Sequence, residues 1–304
     1  MERTALLKWL TVTWFLGVML VTSVIGAPGA DAQTSHHSSS STSSKVSVVV
    51  FGDSTAFTLA YTLGVGPLPS KLHYSLEDEG HIGCGLPQSI PYRENGVVYE
   101  PTPVCTSSTT PLPNTGLHNQ PLMVQWEAAL TKYHPNVVVL LAGRWQVQDF
   151  LYDGGWTNIL NPIIAAKVKQ ELESASDLFT SAGANVVFLT SPCVAEQPLQ
   201  PDGSLGGRDP ARIAAYNALI RQVAAEHPTT DSVVDLDALV CPGGRFTATY
   251  KGTTIRTSPD GIHFTDEAGL VLGPALMPPI LSAGRQQMAR VRTAGSRAAR
   301  RSSG

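Results

Sequence analysis

The feature that most constrains this 304-residue chain is an alternation of two patterns. Short apolar, β-branched runs recur between stretches whose apolar residues return at helical spacing. Val46 to Phe51 is the clearest run, with Ser47 its one polar residue. A run without in–out alternation marks a strand buried on both faces. Leu72 to Leu76 is a weaker run, and Val137 to Ala142, Val186 to Thr190 and Val233 to Leu236 complete five. Ala56 to Leu63 and Pro121 to Tyr133 read as helices between them. Asn161-Pro162 opens a longer helix, with Asn as cap and Pro in the first turn. Its residues Ile164, Val168, Leu172, Ala175 and Phe179 share one face, and Gly183 stops it. Asp209-Pro210 opens another, with Ile213, Tyr216, Ile220 and Val223 inward and Pro228 just past its end. Thr265 is placed to cap a last helix, with Asp266 and Glu267 in the first turn, where the helix dipole favours acids. Strands alternating with helices predict a parallel sheet covered on both faces. Such sheets hold ligands beyond the carboxyl ends of their strands.

The flanks read differently from this body. Arg3 and Lys8 precede an apolar run from Trp9 to Ile25, followed by Ala30-Asp31-Ala32, an A-x-A cleavage pattern. Residues 1–32 are therefore expected to be a signal peptide, or an N-terminal anchor if uncleaved. The apolar run falls short of the ~20 residues of a spanning helix. Either way the body belongs outside the cytoplasm, secreted or in the cell envelope. Residues 33–44 are a Ser/Thr-rich linker, in which His36 and His37 are expected to be solvated. The domain is expected over 45–284, and 285–304 as a disordered tail with six Arg and no acid. Between 33 and 284 stand 13 basic and 22 acidic side chains, which argues against nucleic acid as a partner. The tail could touch anionic polymer or lipid headgroups, or be merely solvated.

Four cysteines in an exported chain imply two disulfides. Three pairings exist. Cys84–Cys105, closing a Pro-rich loop, with Cys193–Cys241, joining two strand ends, is favoured. No Cys/His cluster has zinc spacing, so neither a metal nor a cofactor is expected.

Four stretches carry chemistry. The first strand ends in Gly52-Asp53-Ser54, which places Ser54 at the sheet rim and at a helix N-terminus, where backbone N–H groups favour a developing oxyanion. Gly-Asp-Ser is also an ordinary turn and cap sequence. Asp260-Gly261-Ile262-His263 precedes the last helix. Histidine is the side chain most often used as a base near neutral pH, and an Asp three residues before His263 can reach its other ring nitrogen. His81-Ile82-Gly83-Cys84-Gly85-Leu86 follows the second run, and its glycines could bring an N–H near a substrate oxygen or form a simple turn. Ala142-Gly143-Arg144-Trp145 ends the third run. Arg144 could contact a polar substrate or pair with one of the many acids. Trp145 could wall a sugar or acyl pocket, or sit in the core.

In this order the four stretches resemble the four blocks of the SGNH (GDSL-like) hydrolase family, over roughly residues 45–284. The chain is most similar to extracytoplasmic SGNH domains linked to membrane O-acyltransferases. The resemblance implies a flavodoxin-like three-layer α/β/α sandwich around a five-stranded parallel sheet. It implies a triad of Ser54 as nucleophile, His263 as base and Asp260 as its orienter. It also implies an oxyanion hole from the Ser54 amide with Gly83 or Gly85, and substrate contacts from Gly143, Arg144 and Trp145. The third block departs from the family's Gly-x-Asn, because Trp145 stands where the Asn amide would donate. Losing one such donor can cost ~3 kcal/mol in the transition state.

The expected function is a secreted serine esterase that cleaves or transfers small acyl groups, O-acetyl foremost, on carbohydrates. Its partners would be an acyl ester or acylated glycan and a membrane acyltransferase, and the chain is expected to be a monomer. The alternatives are an O-acyltransferase partner domain and a decayed glycan-binding domain. The α/β-hydrolase class is disfavoured, because Ser54 is followed by Thr55-Ala56 rather than x-Gly. The Pro-rich segment from Leu86 to Pro121 is too long for an ordinary connection and is expected to border the site as a lid or specificity loop.

Overall fold

The computed structural model describes residues 45–195 and 199–302. The expected signal peptide and linker lie outside the described residues. In chain order, β1 (Val46–Gly52) runs into α1 (Ser54–Gly64), and α2 (Leu68–Leu72) turns at His73 into β2 (Tyr74–Gly80). Two short strands follow, β3 (Tyr92–Glu94) and β4 (Val97–Tyr99), before α3 (Leu122–Tyr133) and β5 (Val137–Leu141). Then come β6 (Asp149–Tyr152), β7 (Gly155–Thr157), α4 (Pro162–Ser181), β8 (Asn185–Leu189), α5 (Pro210–Glu226), β9 (Asp231–Val234) and α6 (Leu236–Val240). A small hairpin, β10 (Thr249–Tyr250) and β11 (Thr253–Thr254), precedes α7 (Ala268–Ser302).

The main sheet has the order β2-β1-β5-β8-β9, with every pair parallel. Helices cover both faces, as expected of a three-layer sandwich. On one face the Phe51 ring lies 5.4 Å from Trp126 of α3 and 4.9 Å from Phe179 of α4. On the other, Val46 and Val137 press against Gly284 of α7, where an added Cβ would stand 2.4 Å from Val46 Cγ1. The expected inner faces of α4 and α5 are all buried. Each fully buried side chain of this kind contributes about 1.5–3 kcal/mol. Caps match the sequence too. Asn161 Oδ1 accepts from the Ile163 amide, and Asp209 Oδ1 from the Ala211 amide, each at 2.9 Å.

Four local expectations are corrected. β2 begins later than its apolar run and continues through Glu77-Asp78-Glu79. It is an edge strand, so polar residues there are only half-buried. β9 ends at Val234, because Asp235 caps α6 by accepting from the Ala238 amide. Thr265 does not cap α7, since its hydroxyl donates to the Thr254 carbonyl at 2.7 Å and the helix starts at Ala268. Residues 285–302, expected to be disordered, continue α7. There the Gln287 amide donates to the Gly183 carbonyl and Arg290 to the Thr229 carbonyl, which holds the helix to the body.

A four-stranded antiparallel sheet, β4-β3-β6-β7, was not foreseen. It is built from the long segment after β2 and the stretch after β5, so it sits beside the carboxyl edge of the main sheet.

Candidate active site

The setting of Ser54 begins with glycine. At Gly52 (φ 141°) an added Cβ would stand 1.8 Å from the Leu141 carbonyl oxygen. That close approach lets β1 turn sharply while the Asp53 amide donates to the same carbonyl at 3.3 Å. Asp53 then caps α1 from full burial. Its Oδ1 accepts from the Thr55 amide (2.8 Å) and hydroxyl, and its Oδ2 accepts from the Arg144 amide (3.3 Å). Burial pushes its carboxyl above the usual range, against the bonds from Thr55 and Arg144. Asp53 thereby ties the loops after β1 and β5 together beneath Ser54. Ser54 opens α1, half-buried, and its amide has no hydrogen-bond partner among the described residues.

His263 reaches Ser54 from the loop before α7. Its Nε2 lies 2.9 Å from Ser54 Oγ and its Nδ1 lies 2.7 Å from Asp260 Oδ2. Asp260 Oδ1 also accepts from the Thr257 hydroxyl and from the Ile262 (2.8 Å) and His263 (3.4 Å) amides. Burial raises the Asp260 carboxyl, but bonds from Thr257, the His263 ring and the two amides outweigh it and hold it at about 2. The carboxylate thus stays ionised beside the imidazole. With Nδ1–H donated to Asp260, Nε2 can accept the Ser54 proton.

The other expected residues are spread more widely. Gly83 (φ 87°) stands in open space, whereas a Cβ on Gly85 would lie 2.8 Å from Gln146 Oε1. Neither glycine amide is hydrogen-bonded among the described residues. Gly143 is not at an open surface, because an added Cβ would come within 2.6 Å of Ser191 and the Tyr216 ring. It is the packing of α5 on the sheet that demands glycine there. Arg144 forms a largely buried ion pair with Glu94 of β3, which takes up its guanidinium. Burial pulls its pKa down to about 10, against Asp53 and Asp260. Trp145 joins Tyr92 and Tyr99 in an aromatic group. Disulfides link Cys84 to Cys105 and Cys193 to Cys241. Among the described residues, the cluster Cys193, Asp237 and Cys241 has ligand atoms within 4.8 Å, but the disulfide consumes both thiols.

Three contributors escaped the sequence. The Thr58 hydroxyl accepts from the Phe264 amide (3.1 Å) and lies 3.2 Å from the Ser54 carbonyl, so it clamps the histidine loop to α1. Its position one turn after Ser54 was the available signal. Thr257 shapes the Asp260 turn, and its amide donates to the His263 carbonyl at 2.9 Å. Arg256, 1% exposed, donates to the Ile262 carbonyl at 2.6 Å and lies 4.2 Å from the Phe264 ring centroid. Burial pulls its pKa down to about 10, against the charges of Asp237 and Asp260.

A parallel sheet covered by helices on both faces, with a hydroxyl, an imidazole and a carboxylate in hydrogen-bonded series at its carboxyl edge, defines an α/β three-layer protein. More narrowly, the chain belongs to the SGNH domain family. The family model, described as an SGNH domain fused to AT3 domains, matches residues 25–278. Similar solved structures include the periplasmic domain of a lipopolysaccharide acetyltransferase from Salmonella ser. Paratyphi A, at 13% identity and TM-score 0.48, covering 78% of this chain and 84% of that one. Others are an acylhydrolase-like protein from Bacteroides fragilis (15% identity, TM-score 0.46, 78% and 88% covered) and a GDSL-like lipase from Bacteroides thetaiotaomicron (15%, 0.42, 78% and 88%). No curated protein matches the sequence.

Proposed function

We propose that this chain is an extracytoplasmic serine esterase or O-acyltransferase that moves small acyl groups, O-acetyl foremost, on or off carbohydrate. The observation that carries the reading is the unbroken series Ser54 Oγ, His263 Nε2, His263 Nδ1, Asp260 Oδ2, with spacings of 2.9 and 2.7 Å. In the first half-reaction Ser54 Oγ attacks the ester carbonyl while His263 takes its proton. The oxyanion forms at the mouth of α1, near the unpartnered Ser54 amide, with Gly83 or Gly85 as further donors. Collapse expels the alcohol, protonated by His263, and leaves an acyl-Ser54 ester. Water or a sugar hydroxyl, deprotonated by His263, then takes the acyl group.

The family's fusion to AT3 domains supports a membrane acyltransferase as the partner, and the two disulfides support an oxidising location. No helix among the described residues is long and apolar enough to cross a membrane. The test is fluorophosphonate labelling together with turnover of p-nitrophenyl acetate, with and without sugar acceptors. Wild-type protein is expected to be labelled at Ser54, and Ser54→Ala neither labelled nor active. The split between free acetate and acetylated sugar then separates esterase from transferase. A folded wild type that takes no label and turns over no ester overturns the reading.

A further inference from the structure

A cavity of about 730 Å³ opens between the stretch after β8, the start of α5 and the loop after α6. That is within the range of small-ligand sites, roughly 300–1,000 Å³. It is separate from the Ser54 site, since its lining contains none of Ser54, Asp260 and His263. Its walls are largely apolar. Ile213 of α5 is buried, Phe246 is half-buried, and Leu205 keeps 44% of its surface open. Phe246 also reaches the histidine turn. At Gly261 (φ 60°) an added Cβ would stand 3.1 Å from Phe246 Cζ, so the cavity backs onto the turn that carries Asp260 and His263.

Two cations stand on the same lining. Arg208 comes just before α5 and Arg245 follows α6. Arg93, Arg144, Arg212 and Arg221 each meet a carboxylate, as a body rich in acids allows. Neither Arg208 nor Arg245 has a side-chain hydrogen bond or ion pair among the described residues. The Arg208 Nε is closed to solvent, but its two terminal nitrogens are open, and Arg245 is exposed. Asp237, the one acid among the described residues of the lining, accepts from the Cys193 amide at 3.1 Å, and its charge is offset by buried Arg256. The cavity thus keeps an excess of positive charge. A guanidinium binds a carboxylate or phosphate through paired N–H groups. A neutral hydrocarbon would leave both cations unmet, and a bare anion would leave the apolar walls wet. A molecule with both parts satisfies both.

We infer that this cavity is a second ligand site, for a small amphipathic anion whose hydrocarbon lies against Leu205, Ile213 and Phe246 and whose anionic head meets Arg208 and Arg245. It goes beyond the acyl-transfer reading and does not depend on it, because binding needs no turnover.

The experiment uses the full chain labelled with 3-fluorophenylalanine, the Phe246 ¹⁹F resonance being assigned with Phe246→Leu. Octanoate and octyl phosphate are titrated in, with octanol, octylammonium and acetate as controls. At least one octyl anion is expected to shift Phe246 saturably while core-buried Phe51 stays still, and to bind about ten-fold or more tightly than each control. Arg208→Gln with Arg245→Gln is expected to weaken that binding about ten-fold or more with no fall in melting temperature, since neither guanidinium is bonded among the described residues. If the double variant melts lower, the preference for octyl anions on the unsubstituted chain decides alone. A control that binds as tightly as the anions overturns the inference. So does anion binding that survives both substitutions, and so does the absence of any shift. Failure of the acyl-transfer reading shows separately, as a chain that binds an octyl anion at Phe246 but takes no fluorophosphonate at Ser54.

Discussion

Replacing Asp260 with Asn changes one atom of the putting-together of Ser54 and His263, and the structure fixes the consequence. Asp260 Oδ1 accepts from the Thr257 hydroxyl and two amides, so an Asn in this place keeps its oxygen on that side. Its NH₂ then faces His263 Nδ1, where the carboxylate stood at 2.7 Å. Two donors cannot share that contact, so the ring takes the tautomer with the proton on Nε2. Nε2 then points an N–H at Ser54 and can no longer accept its proton. A wrong tautomer of this kind lowers kcat by about 10⁴-fold, or about 5 kcal/mol. The stability cost is smaller. The retained donors now meet a neutral acceptor, and for a partly exposed group this comes to about 1 kcal/mol. The assay is p-nitrophenyl acetate hydrolysis alongside thermal unfolding. A folded Asp260→Asn protein keeping more than a tenth of wild-type kcat would refute the tautomer argument.

Three further outcomes are expected. The Asp260 carboxyl should titrate near 2 by ¹³C NMR; its folded pKa is depressed, so its stabilising effect is full above about pH 3.8 and is lost as pH falls through 2, and Thr257→Val should move the midpoint upward. Arg144→Ala leaves Glu94 unpaired in a largely buried place and should cost about 3 kcal/mol in urea denaturation, a loss below 0.5 kcal/mol contradicting a structural role. Removing Cys84–Cys105 with paired Ser substitutions opens a loop with sequence separation 21 and should cost about 3 kcal/mol by the chain-entropy estimate, with faster amide exchange in that loop than in β1 and β5.

The main sheet was legible because its central strands β1, β5 and β8 are almost wholly buried on both faces and so read as nearly unbroken apolar runs, whereas the edge strands β2 and β9 carry half-buried or exposed polar residues that blurred their bounds. Helices α4 and α5 were legible because cap, proline and inner face agreed at each. The small antiparallel sheet was not. Its strands are three or four residues long, and Arg93 pairs with Asp149 across 56 positions. Asp149 in turn binds Arg212 of α5 at 2.8 Å, a network that no local pattern announces. The meeting of Ser54 with the Asp260–His263 turn could be anticipated because both follow or precede elements that end at one sheet edge. Arg144 showed its charge in the sequence but not its partner, because Glu94 belongs to the unforeseen sheet. The C-terminal tail was misjudged from its arginines. Ala283, Gln287 and Met288 continue the inner face of α7 at helical spacing, and that pattern outweighs composition.

The two disulfides have a consequence for timing. Neither joins strands of the main sheet. One pins the segment beside the Ser54 loop, and the other fastens the stretch after β8 to the end of α6. The sheet and its helices owe their burial to apolar side chains, which collapse regardless of redox state. A newly made chain held among reduced thiols can therefore assemble its framework while the rim around Ser54 stays unfastened. Oxidation is then expected to fasten the rim last, which a reduced protein keeping its far-UV circular dichroism while losing protection of amides in the Cys84–Cys105 segment would bear out.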